Sequence, residues 1–109
     1  MHELGIAMEV IERATARAGD ERIVRITLRV GQLAAVLPES LVFCFDLAAA
    51  GTRAEGAELC IVTTPGLARC TSCGEQLTLD RPFGRCGCGS SELDWISGDE
   101  LEIVDLEVN

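Results

Sequence analysis

From Leu4 to Ala18 the apolar residues Leu4, Ala7, Met8, Ile11, Ala14 and Ala18 return at helical spacing, with Glu9, Glu12, Arg13 and Arg17 turned away. The spacing predicts an amphipathic first helix, with Gly19 placed just past its end. Between Arg22 and Val30 the period falls to two. Val24, Ile26, Leu28 and Val30 alternate with Arg25, Thr27 and Arg29, the pattern of a strand with one face on the core and one in water. Gly31 and Gln32 end it. Pro38 suits a first helical position and Glu39 complements a helix N-terminus. Leu41, Val42, Phe45, Ala48 and Ala49 then form an apolar stripe, so a second helix is predicted over Glu39 to Ala50, stopped at Gly51.

Glu58 to Thr64 reads as a second strand, closed by Pro65 and Gly66. The composition then changes. From Leu67 to about Trp95 glycine, cysteine and polar residues dominate, a stretch too poor in apolar groups to fold unaided. A last strand runs from Leu101 to Val108, and its break in phase at Ile103 and Val104 points to a bulge or to burial on both faces. The expected architecture is α+β: two helices packed on one face of a small three-stranded sheet, with an inserted four-cysteine zinc module. Residues 1–66 and 97–109 would form the main body and residues 67–96 the module.

Composition narrows the function. With 48% apolar residues in 109, the chain is long enough for a real core, and no apolar run approaches a membrane span. His2, Glu3, Glu9 and Glu12 stand where a secretory signal needs basic and then apolar residues, so a cytoplasmic location is expected. In a reducing compartment six cysteines argue for metal ligation and buried thiols rather than a disulfide framework. A net charge of −9 repels polyanions, which speaks against a nucleic-acid partner. The acidic residues that thicken toward the end of the chain, from Glu92 to Glu107, read as a solvated strand face rather than a cation-binding patch.

Cys70-x2-Cys73 and Cys86-x-Cys88 present two pairs of thiols on tight turns, the arrangement of a four-thiolate zinc site. All four tetrahedral positions are then sulfur, which makes the site structural and leaves no corner for substrate. The alternatives are a catalytic zinc and a redox CxxC. Cys44 and Cys60 are read as packing residues, as are Met8, Phe43 and Phe45; Trp95, beside the module, is expected to seal it. His2 is the single histidine. With Met1 retained, its amine, the His2 amide and the His2 imidazole close fused five- and six-membered chelate rings, a square-planar set suited to Ni(II) or Cu(II). Glu3, by amide or carboxylate, or an outside ligand would fill the fourth corner. An ordinary exposed terminus is the plainer reading of the same residues.

Met1-His2-Glu3-Leu4, the amphipathic helix behind it, Pro38-Glu39-Ser40-Leu41, the paired cysteine turns with Gly74 and Gly89-Ser90, and Gly98-Asp99-Glu100-Leu101 resemble the HypA/HybF family of hydrogenase nickel-incorporation proteins over essentially the whole chain. The resemblance implies a nickel metallochaperone and not an enzyme, with Met1, His2 and Glu3 at nickel and Cys70, Cys73, Cys86 and Cys88 at structural zinc. It implies nickel delivery to the large subunit of [NiFe] hydrogenase, in some bacteria to urease, with a HypB-type GTPase as partner. The chain departs from the family at Cys86-Gly87-Cys88, one residue shorter than the usual pair. No nucleic-acid or membrane partner is expected, and the chain is expected as a monomer or weak homodimer. The rival is a zinc-ribbon interaction or nucleic-acid-binding module. It would want a basic stripe, and residues 66–91 offer only Arg69, Arg81 and Arg85 against Glu75 and Asp80.

Overall fold

The computed structural model describes residues 3–109, so the Met1 and His2 readings fall outside the described residues. The order is α1 (Glu3–Ala18), β1 (Ile23–Gly31), a 3-10 turn (Gln32–Ala34), α2 (Pro38–Ala49), β2 (Glu58–Thr64), β3 (Gly66–Cys70), β4 (Gln76–Leu79), β5 (Leu93–Ser97) and β6 (Leu101–Val108). The chain divides into two compact units. The first holds Met1–Leu28, Val36–Val62 and Glu102–Asn109; the second holds Arg29–Ala35 and Thr63–Leu101.

In the first unit α1 and α2 pack on each other. The buried stripe of α1 is Ile6, Ala7, Val10, Ile11 and Ala14. Leu4 and Met8, assigned to that stripe by the sequence, are exposed, and Ile6 and Val10 take their place. A helical apolar band has two edges, and only the neighbour it meets decides which edge is covered. The same holds on α2. Leu41, Phe45 and Ala49 are buried, one per turn, while Val42, Phe43 and Leu47 lie toward solvent. Phe43 is therefore not a packing group.

β1 is the middle strand of a sheet ordered β2-β1-β6. Gly31 N donates to Glu100 O at one end of β1 and Asn109 N to Arg22 O at the other, so β1 and β6 run antiparallel. Ile26, Leu28 and Val30 are buried as the alternation requires, but Val24 is exposed and Ile23 is buried in its stead. Two exposed residues in succession, Val24 and Arg25, shift the phase by one. Arg25 then reaches both neighbouring strands, bonding Glu58 at 3.0 Å and Glu107 at 3.1 Å. β6 shows no strict alternation: Ile103 and Leu106 are half-buried and the residues around them are exposed.

The second unit contains what the sequence reading left without strands. β3 pairs antiparallel with β4 on one side and β5 on the other. Leu67 faces Ser97 while Ala68 faces Trp95, so Ile96 is the extra residue of a bulge. Trp95, expected to seal the module, is 47% exposed. The core here is small: Leu33 from the 3-10 turn, Ala68 and Leu79, flanked by Leu77 and Leu93. Leu33 N donates to Gly98 O at 2.8 Å, and a side chain at Gly31 would run into that same carbonyl. The Glu100 carboxylate closes the arrangement by accepting from Thr64 Oγ1 at 2.8 Å and Gly98 N at 2.9 Å.

Candidate metal centre

Cys70 ends β3, and the chain turns at once. Gly74 N donates back to Cys70 O and Cys70 N donates to Glu75 O, both at 2.8 Å, so Cys70 and Cys73 stand on one closed loop. The second pair repeats the device with one residue fewer: Gly89 N donates to Cys86 O at 2.9 Å and Cys86 N to Ser90 O at 2.8 Å. The first loop thus closes over four residues and the second over three. Gly74 (φ 81°) and Gly89 (φ 98°) take the left-handed backbone that ends each turn, where an L side chain would be strained. The shorter spacing of Cys86-Gly87-Cys88 is absorbed by the tighter turn.

The two loops are then tied together. Ser72 Oγ donates to Ser90 Oγ at 2.9 Å, and Thr71 donates twice to Glu92 O, from its amide at 2.9 Å and its hydroxyl at 3.0 Å. Each loop offers one buried thiol, Cys70 and Cys86, and one exposed thiol, Cys73 and Cys88. The thiols pair across the loops, Cys70 Sγ with Cys88 Sγ at 3.7 Å and Cys73 Sγ with Cys86 Sγ at 3.6 Å. All four sulfurs lie within 4.8 Å of one another. Metal–sulfur bonds of about 2.3 Å set tetrahedral sulfurs about 3.8 Å apart, so the quartet fits a tetrahedral, thiophilic ion.

The protons of the quartet are unequally held. The backbone amide of Cys73, helped by those of Ser72 and by neighbouring thiols, brings Cys70 down to about 6 against the cost of its burial. At Cys73 the Glu75 amide acts to lower the value, but the Cys86 thiol and burial outweigh it and push the group up to about 12. Adjacent thiols cannot all ionise without a cation to hold the charge, and a divalent ion is what a set of four thiolates accommodates.

The other sequence-derived sites are less closely knit. Of Met1, His2 and Glu3 only Glu3 is described. It opens α1, and its carboxylate accepts at 3.2 Å from the amide of Leu37, the N-cap of α2, whose own side chain makes no capping hydrogen bond. Negative charge is favoured there by the helix dipole. Cys44 and Cys60 are half-buried and do not belong to the cysteine cluster found among the described residues. Burial, followed by the Glu58 carboxylate on the same strand, pushes the Cys60 thiol up, away from nucleophilic use. An open cleft of about 760 Å³, lined by residues including Gln32, Thr78, Asp80, Arg81 and Phe83, contains none of the cysteines. The sequence reading counted Arg69 and Arg85 only as charges and missed their place on the turns, each directly before the first cysteine of its pair. Arg69 Nη1 donates to Gly74 O at 3.2 Å and Arg85 Nη1 to Gly89 O at 2.8 Å. The signal was present as a repeat, Arg-Cys-Thr-Ser-Cys-Gly and Arg-Cys-Gly-Cys-Gly.

Among the described residues no helix is long and apolar enough to cross a membrane. The family model described as hydrogenase/urease nickel incorporation, metallochaperone, hypA matches residues 1–108. A hydrogenase maturation factor HypA of a Nostoc species is 46% identical over 108 residues, covering 99% of this chain and 96% of its own. The HypA of Streptomyces avermitilis is 45% identical over 112 residues, covering 97% and 86%. In fold, the chain is similar to the Ni metallochaperone HypA from Helicobacter pylori, solved in solution, with a TM-score of 0.65 at 20% identity over 99% of this chain and 97% of that one. The chain belongs to the HypA family of hydrogenase/urease nickel-incorporation proteins, which are metallochaperones and not enzymes.

Proposed function

We propose that this chain carries Ni(II) at its N-terminus and surrenders it during maturation of a [NiFe] hydrogenase, while Cys70, Cys73, Cys86 and Cys88 hold a structural zinc. Membership of the family, over residues 1–108, is the observation that carries the reading. The quartet supports the zinc half, since its sulfur separations of 3.6 and 3.7 Å match a tetrahedron and no corner is left open for exchange. Zinc there is structural, and nickel is cargo held elsewhere. The zinc module is the part around residues 67–96, and the nickel-binding part is the remainder.

At the nickel end, the Met1 amine, the His2 amide and the His2 imidazole supply three corners of a square plane. Glu3 or an incoming ligand supplies the fourth. A Glu3 carboxylate corner would cost the hydrogen bond from Leu37 N, whereas an amide corner would leave it in place. Release proceeds by ligand exchange, an acceptor cysteine or histidine displacing one corner at a time, with a HypB-type GTPase and the hydrogenase large subunit as partners. Both amine and imidazole must lose protons to bind, so nickel affinity falls as pH drops below neutrality.

A nickel titration followed by absorbance tests this. Wild-type protein is expected to take one Ni(II) into a yellow, diamagnetic complex. His2→Ala and a blocked amino terminus should each abolish tight nickel binding while zinc content and fold persist. Unchanged nickel affinity in either variant would defeat the N-terminal site.

A further inference from the structure

Each cysteine turn is closed by an arginine that the zinc ligand set does not include. Arg69 and Arg85 sit one residue before the first cysteine of their turns, and each donates to the carbonyl of the glycine that follows the second cysteine. The same glycine gives its amide to the carbonyl of the first cysteine. Arginine, cysteine and glycine thus form a closed ring around each loop, and the ring recurs although one loop is a residue shorter. Two unrelated surface contacts would not repeat in this way.

The contact also leads to a sulfur. The Gly74 carbonyl that Arg69 binds belongs to the same peptide group as the Glu75 amide, and that amide acts on the Cys73 thiol. A cation on the oxygen of a peptide makes its N–H a stronger donor, because hydrogen bonds in series polarise one another. Four thiolates on a divalent zinc leave two negative charges, on a chain whose net charge is already −9. Two guanidiniums bring the opposite charge to the centre. The remaining arginine of this segment, Arg81, is paired with Asp80 at 3.1 Å.

We propose that Arg69 and Arg85 are paired positioning residues of the thiolate centre: each latches its own cysteine turn through the glycine carbonyl, and together they offset the charge of a four-thiolate zinc. The inference rests on the zinc reading of the quartet. Its consequence is retention of the ion. Thiolates whose loops are latched and whose charge is offset give up zinc more slowly to a competing ligand and react more slowly with electrophiles.

The test uses the full chain loaded with one zinc. Loss of zinc to excess EDTA is timed for wild type, Arg69→Met, Arg85→Met, the double variant, the corresponding Lys variants, and Arg81→Met as a control for charge alone. Methionine keeps the unbranched apolar stem of the side chain and removes the charged donors. Zinc loss is expected to be roughly tenfold to a hundredfold faster in the double variant, the range seen when partners of metal ligands are removed. The Lys variants should recover most of the loss, and Arg81→Met should match wild type. The Glu75 amide proton resonance should move upfield in Arg69→Met and stay in Arg81→Met. Should the double methionine variant not fold, the single Lys and Met variants carry the comparison. Wild-type rates in the double variant, or equal acceleration by Arg81→Met, overturn the arginine latch alone. A wild-type chain that binds no zinc overturns the zinc reading and the latch with it.

Discussion

Phe43 and Phe45 stand two residues apart on α2 in opposite surroundings: Phe45 is fully buried, and Phe43 is 65% exposed. Phe45→Ala should cost about 3–5 kcal/mol of stability, because it removes a large side chain and leaves a cavity. Phe43→Ala should stay within about 0.5 kcal/mol. Urea unfolding of the two variants checks the contrast. Glu100 makes a different kind of contribution. The Gly98 amide and then the Thr64 hydroxyl stabilise its ionised form, which holds its carboxyl below the ordinary 4.5. A carboxylate with a lowered folded pKa stabilises fully above its unfolded value, and the stabilisation is lost as pH falls through the lower folded value. The urea midpoint of wild type should therefore exceed that of Glu100→Gln near neutrality, and the gap should close as pH drops below about 4.5. A gap that is undiminished at pH 3 would show that the charge on Glu100 contributes nothing.

At the scale of elements, the meeting of β1 with the Gly98 turn leaves no room for a side chain. A Cβ at Gly31 would collide with the Gly98 carbonyl and the Asp99 amide, both backbone and unable to step aside cheaply. Gly31→Ala should cost about 1–3 kcal/mol or more, as overpacking does. Gly5 in α1 has nothing within 4 Å of the same position, and Gly5→Ala should stabilise by about 0.5–1 kcal/mol through helix propensity. Thermal unfolding of the pair separates the two, and equal effects would mean that the close approach is not felt. Helices and strands of the first unit were readable in the sequence because each is long enough to show its period. β3, β4 and β5 were not: at five, four and five residues they are too short for a period to appear. Their pairing depends on the cysteine loops that join them.

On the scale of the whole molecule the two units rest on different physics. The first has paired helices and a row of fully buried aliphatic and aromatic residues, including Ile6, Ile26, Leu28, Leu41 and Phe45. The second centres on Leu33, Ala68 and Leu79, too little apolar surface to offset the ordering of that many residues. Binding of a metal ion supplies the difference in small domains of this kind. Chelation of an ion held by the four cysteines should therefore remove amide-exchange protection from β3, β4 and β5 while leaving that of α1 and α2. Hydrogen exchange with and without EDTA reads this directly, and uniform loss of protection would mean that the two units fold as one.

What the sequence determined by itself were the features written in local spacing and residue chemistry. The periods of α1, β1 and α2 are such features, as is the grouping of the four cysteines into a set able to hold a metal ion. Spacing of this kind is a property of the chain alone. Only the tertiary structure decided which edge of each helical stripe is covered, exposing Leu4, Met8 and Phe43 and burying Ile6 and Val10. It also decided that Leu33, thirty-five residues before Ala68, belongs to the core of the cysteine unit. The one-residue deficit at Cys86-Gly87-Cys88 looked like a defect in the metal set, and folding resolved it. A turn closed over three residues places Cys86 and Cys88 3.6 and 3.7 Å from their partners on the four-residue loop, because sulfur positions follow the hydrogen bonds of the turn and not the count of residues between them.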